Sequence, residues 1–141
     1  MSFSRKEKHS TAPRSQPVYP WSTHSPPFGQ SPSPFPRASH ALSTSVTAAG
    51  ELYLFGGFVN GSSTLSNDVY VISTRDFSTT LLQTSGDVPS PRYGHTAVVT
   101  STILLIWGGS TDLIRRTADK DDSFYLLDLG TDRFHVKTRS C

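Results

Sequence analysis

The chain states one pattern twice. Pro36-Arg37-Ala38-Ser39-His40-Ala41 returns as Pro91-Arg92-Tyr93-Gly94-His95-Thr96, and Leu52-Tyr53-Leu54-Phe55-Gly56-Gly57 returns as Leu104-Leu105-Ile106-Trp107-Gly108-Gly109. Asp68-Val69-Tyr70-Val71-Ile72 returns as Ser123-Phe124-Tyr125-Leu126-Leu127. Arg37 and Arg92, His40 and His95, and Tyr70 and Tyr125 are each 55 residues apart. Three blocks repeated in one order constrain the chain more than any composition does. Each copy must be one supersecondary unit that buries its apolar face against a neighbour. A period of about 50 residues falls in the range of propeller blades.

From Pro36 onward, apolar runs rich in β-branched and aromatic residues alternate with Gly, Ser, Asp and Pro, the signature of short strands and turns. The pattern predicts four strands per repeat. In the first they cover roughly 40–47, 51–55, 68–73 and 77–83, with Gly56-Gly57 closing the second strand. In the second they cover roughly 95–100, 103–107, 122–129 and 133–138. Four antiparallel strands joined by short turns make one blade. The expected divisions are residues 1–35, 36–90 and 91–141.

Residues 1–35 differ in kind. They hold 7 of the 10 prolines and 8 serines, with Val18 as the one branched aliphatic side chain. Such a stretch cannot bury enough apolar area to offset its ordering entropy, so it reads as a disordered Pro/Ser-rich arm. Charge divides at the same place: residues 1–37 carry a net +4 and the remainder a net −2. The slightly acidic repeats, with Arg115-Arg116 as their densest basic spot, do not fit a nucleic-acid surface. No run of 18 apolar residues is present, and residues 1–20 lack a signal-peptide core. Cys141 is the one cysteine, so no internal disulfide can form. Together these features lead to the expectation of a cytoplasmic protein.

The Arg-x-x-His entry (Arg37 and His40; Arg92 and His95), the glycine pairs (Gly56-Gly57; Gly108-Gly109) and the strand tyrosines (Tyr70; Tyr125) together resemble the kelch repeat. Several blocks are similar to fungal kelch proteins of the cell-polarity, cell-end-marker type: Tyr19-Pro20-Trp21-Ser22, Pro34-Phe35-Pro36-Arg37, Ser73-Thr74-Arg75-Asp76-Phe77 and Leu82-Gln83-Thr84-Ser85-Gly86. The resemblance implies an all-β, kelch-type propeller fragment of about two blades. It also implies an aromatic on each fourth strand, here Phe77 or a neighbour and Phe134. Its functional implication is non-catalytic protein binding or scaffolding in cell polarity or cytoskeletal organisation, at the cell cortex or cell ends. A substrate adaptor of a ubiquitin ligase is an alternative, which would call for a BTB or similar domain. A galactose-oxidase-like copper enzyme is another. The resemblance would ask that enzyme for a tyrosine cross-linked to an internal cysteine, and Cys141 is terminal.

No catalytic group, metal or cofactor is expected. The glycine pairs lack the Gly-x-Gly-x-x-Gly or Gly-Lys-Ser/Thr context of a phosphate cradle and read as backbone freedom where strands crowd. Arg37, His40, Arg92 and His95 recur at fixed repeat positions, which suits a structural role in every blade. Partner-binding candidates lie instead in the unequal loops: Phe58 and Asn60 in the first, and Arg115, Arg116, Asp119 and Lys120 in the second, a mixed-charge tip suited to steering a protein partner. Since a propeller takes roughly 4–8 blades, two blades leave apolar faces bare, and the chain is expected to be a fragment that self-associates.

Overall fold

The computed structural model describes residues 33–59, 62–112 and 121–138. Ten strands form two sheets, with no helix among the described residues. The first sheet contains β1 (Arg37–Ala38), β2 (Ala41–Leu42), β3 (Glu51–Val59), β4 (Leu65–Ser73) and β5 (Thr79–Leu82). Both β1 and β2 pair with β3, and the order continues to β4 and β5. The second sheet contains β6 (Ser85–Gly86), β7 (Thr96–Val99), β8 (Ile103–Trp107), β9 (Phe124–Asp128) and β10 (Arg133–Lys137), in the order β6-β10-β9-β8-β7. Each sheet is a blade, and the chain is a partial propeller. The expected arm falls almost wholly outside the described residues, as does Cys141.

Period-two alternation decides which side chains meet. In β7 and β8, Ala97, Val99, Leu104 and Ile106 are buried while Thr96, Val98 and Trp107 are exposed. The buried set packs against Ala41, Tyr53, Phe55 and Val69 of the first sheet, and Leu127 and Phe134 complete the core between the sheets. Phe134 is fully buried and stands edge-on to Phe55, ring centroids 6.3 Å apart.

The sheets depart from the sequence expectation in three places. Gly56-Gly57 does not close β3, which runs on to Val59. Its partner β4 carries an extra residue there, since Phe55 pairs with Val69 and Gly57 with Ser66. The bulge falls at Asn67-Asp68, where it can re-aim a side chain without ending the ladder. Second, Phe77 does not fill the place of a fourth-strand aromatic. It sits in the turn before β5 with φ +59 and is 40% exposed. Ladder pairing puts Thr79 opposite Ile72 where Phe134 lies opposite Leu127, so the first sheet has a threonine at that position. Third, Ser85-Gly86, which lies between the expected strands 77–83 and 95–100, joins the second sheet as β6, parallel to β10.

These environments predict unequal costs for the two phenylalanines. Phe134→Ala opens a cavity between the sheets and should lower stability by about 3–5 kcal/mol. Phe77→Asn, at a left-handed turn position that asparagine tolerates, should cost under about 1 kcal/mol. Urea unfolding followed by circular dichroism measures both.

Candidate interaction surface

The recurring residues gather at one end of the two sheets. In an antiparallel meander, the β3–β4 and β8–β9 connections leave from the same end as the connector that enters β7. That end carries the Arg-x-x-His segments and the glycine pairs.

Each arginine makes the same knot. Arg37 donates from Nε to Pro34 O at 3.0 Å, from Nη1 to Gly56 O at 2.8 Å and from Nη2 to Asp68 Oδ2 at 3.2 Å, with its guanidinium 5.3 Å from the Tyr70 ring centre. Arg92 donates from Nε to Ser90 O at 3.1 Å, from Nη1 to Gly108 O at 3.0 Å and from Nη2 to Asp121 Oδ2 at 2.8 Å, over Tyr125 at 4.9 Å. Both arginine side chains are at most 1% exposed. Burying a charge this deeply is tolerable only when it is paired and its donors are satisfied.

The carboxylates were the part hidden in the sequence. The repeat aligns Ser123, not an acid, with Asp68. The structure instead brings Asp121 in from the loop, two residues earlier relative to the tyrosine, and the Ser123 amide donates to its Oδ1 at 3.1 Å. The Tyr125 hydroxyl also donates to Asp121 Oδ2 at 2.7 Å. Burial would raise the Asp121 carboxyl, but the hydrogen bonds from Arg92, Tyr125 and Ser123 outweigh it and hold the group well below the usual carboxylate range. An acid within a few residues before a strand aromatic, at either spacing, was the available signal.

His95 links the sheets. Its Nε2 lies 3.0 Å from Phe55 O, and since a carbonyl only accepts, Nε2 carries the proton. Nδ1 is buried without a partner, which suits a neutral ring. Burial, followed by the nearby Arg92 charge, pushes the pKa of His95 down to about 4. His40 is half-buried against Phe35, with its pKa lowered by burial and by Arg37. Gly57 and Gly109 lie under these histidines: a Cβ at Gly57 would meet Ala38 O at 2.5 Å and one at Gly109 would meet Tyr93 O at 2.7 Å. Backbone bonds add to the link, with Gly57 N–H on Arg92 O at 2.8 Å and Gly94 N–H on Ser39 O at 3.1 Å.

Above this framework Phe58 packs on Tyr93, ring centres 4.9 Å apart. An open depression of about 500 Å³ is lined by Val59, Ser62, Thr64, Leu65, Asn67 and Asp68, among others. Asn60, Arg115, Arg116, Asp119 and Lys120 lie outside the described residues. Among the described residues no three metal-ligating side chains cluster, and no helix is long and apolar enough to cross a membrane.

The KLHDC2/KLHL20/DRC7 Kelch-repeats domain model matches residues 40–140. The chain belongs to the kelch-repeat family. Among known kelch-containing and related proteins, it is 35% identical over 100 residues to the Rho GTPase-activating protein gacHH of Dictyostelium discoideum, covering 67% of this chain and 6% of that protein. It is 36% identical over 93 residues to Tip elongation aberrant protein 1 of Schizosaccharomyces pombe, covering 65% of this chain and 8% of that one. With the human Rab9 effector protein with kelch motifs the identity is 34% over 90 residues, covering 63% and 23% respectively. The chain thus spans less than a quarter of the length of each of these relatives.

Two outcomes follow from the knots and the histidine. Asp121→Asn strips the partner from a fully buried guanidinium and should cost about 3 kcal/mol or more. Asp68→Asn should cost less, because that carboxylate is 41% exposed and water can replace part of the pairing. Chemical denaturation of the two variants side by side tests the order. For His95 the folded pKa of about 4 lies below the ordinary 6.5, so the unfolded chain takes up the proton first as pH falls. The neutral-ring stability is complete above about pH 6.5 and is lost toward pH 4, by up to about 3 kcal/mol. The urea midpoint should drop across that window, and His95→Gln should flatten the drop.

Proposed function

We propose that this chain is a non-catalytic protein-binding module whose partner docks on the loop end of the sheets, and that it serves as a scaffold in cell polarity or cytoskeletal organisation. One observation carries this reading. The arginine knots repeat in kind, each on an entry-segment carbonyl, a glycine carbonyl, an aspartate and a tyrosine ring, while the connections above them differ in length: residues 60–64 join β3 to β4, and residues 108–123 join β8 to β9. A constant frame under unequal loops suits recognition by the loops. The polar groups that resemble catalytic ones are already committed. Arg92 has its guanidinium tied to two carbonyls and a carboxylate, and His95 has one ring nitrogen on Phe55 O and the other sealed by burial.

The mixed charges of Arg115, Arg116, Asp119 and Lys120 would steer a partner and set its orientation. The names of the relatives support the cellular setting, since one is called after tip elongation and others after Rho and Rab9. A cytoplasmic location, concentrated at the cortex or cell ends, goes with this role.

A fluorescent fusion of the chain in a tip-growing fungal cell tests the proposal. The fusion should concentrate at growing ends, and the combined change of Arg115, Arg116, Asp119 and Lys120 to alanine should disperse it while leaving the urea midpoint of the purified chain unchanged. Uniform distribution of the unaltered fusion would overturn the polarity role.

A further inference from the structure

The second sheet is finished at its outer edge by a piece of chain that precedes its own repeat, and the first sheet has no such piece among the described residues. β6 lies parallel to β10, with Ser85 opposite Arg133 and Gly86 opposite Phe134. The order of the first sheet ends at β5. Its residues Thr79–Leu82 are two threonines and two leucines, without charge or proline. Proteins seldom leave an edge of that composition open.

β5 presents its backbone as β10 does. The 55-residue offset takes Phe134 to Thr79, and the two lie opposite corresponding residues of the neighbouring strand, Leu127 and Ile72. Two residues earlier, Asp132 and Phe77 share a left-handed backbone, φ +53 and +59. Phe134 O accepts the Asp87 N–H at 3.1 Å. Thr79 O is therefore placed to accept a donor from beyond the edge.

The chain also enters from the side where that donor is needed. Pro89 is buried three residues before Arg92, and Pro34 is buried three residues before Arg37. Each arginine then ties its entry segment to its own sheet, through Gly108 O and Gly56 O respectively. In the second sheet the chain ahead of the buried proline reaches the outer edge within three residues, at Gly86. The chain ahead of Pro34 starts from the matching place on the first.

Two requirements seen at β6 set the register. Gly86 has φ +81, and a Cβ on it would run into Phe134 O, so glycine is needed there. The next residue must supply an N–H, as Asp87 does. At equal spacing the counterparts of Gly86 and Asp87 are Ser31 and Pro32. Serine brings the forbidden Cβ, and proline has no N–H to give. Gly29 is the one glycine before Gly50. Gln30 after it has the N–H, and also a side-chain oxygen where Asp87 Oδ2 accepts the Val136 N–H at 3.4 Å.

We propose that Phe28-Gly29-Gln30 closes the first sheet as a strand parallel to β5. Gly29 takes the place of Gly86, the Gln30 N–H donates to Thr79 O, and the two additional residues, Ser31-Pro32, loop out ahead of Pro34. The base of the Pro/Ser-rich arm is thereby a latch on the blade, and the arm proper is residues 1–27.

Hydrogen exchange of the full chain, read by NMR, should show the Gln30 amide slowed roughly tenfold or more against a peptide of residues 26–32. Gly29→Ala should return it to the peptide rate while the far-UV circular dichroism stays that of the parent. Opposite residues on paired strands lie about 5 Å apart, within disulfide reach. In a Cys141→Ser background, Phe28→Cys with Ser78→Cys should cross-link within one chain roughly tenfold faster than Gln30→Cys with Ser78→Cys. An unprotected Gln30 amide, protection that survives Gly29→Ala, a Gln30 pair that cross-links as fast as the Phe28 pair, or cross-links found only between two chains would each overturn the proposal.

Discussion

A guanidinium with no access to water is the constraint on which each blade depends. Arg37 and Arg92 are sealed beneath tyrosine rings, and each donates to a carbonyl of its own entry segment, to the carbonyl of the first glycine of the pair, and to an aspartate. The entry, second strand and third strand are therefore joined by one side chain that cannot leave any of its partners without exposing an unpaired charge to an apolar surrounding. Cation–ring contact adds attraction along the one direction in which the planar group has no hydrogen bond to make. The loops above are free to vary because the strand ends beneath them are held from below.

The link between blades is of a different character. Phe55, Phe134 and their aliphatic neighbours supply burial, which is strong but indifferent to small shifts. Register comes from directional bonds at the loop end, the His95 ring on Phe55 O and the Gly57 N–H on Arg92 O. Farther down, Ser45 Oγ donates to Val99 O at 3.2 Å. Apolar area holds the sheets together, and a few polar contacts decide how they face.

The 55-residue spacing was enough to place both blades, because the Arg-x-x-His entry and the glycine pairs are local signals at fixed distance from the strands they flank. What it could not place were features that depend on where a side chain arrives and not on where it sits in the chain. Asp121 and Asp68 reach equivalent positions from different offsets, one through a bulge in β4 and one from a loop, so strict alignment pairs Asp68 with Ser123. Phe77 is near the expected aromatic position in sequence, but it falls two residues early, at the left-handed turn position that Asp132 holds in the second repeat, and Thr79 takes the place of Phe134 on the strand. β6 has only Ser85 and Gly86, with no apolar alternation to reveal that they pair with β10 some fifty residues later. The loop residues singled out for partner binding were legible only as unequal length and charge.

That parallel pairing of β6 with β10 separates the unit that is copied in the chain from the unit that closes in space. β6 precedes the second Arg-x-x-His entry, yet its hydrogen bonds complete the far edge of the second sheet: Ser85 N–H on Asp132 O at 3.0 Å and Asp87 N–H on Phe134 O at 3.1 Å. During synthesis the connector must wait, unpaired, until β10 has emerged, and a cut made at the start of the second repeat would leave β10 as a naked edge open to pairing with another chain. Recombination at the sequence boundary would therefore carry a blade without its border, whereas a join placed ahead of Ser85 would move it whole.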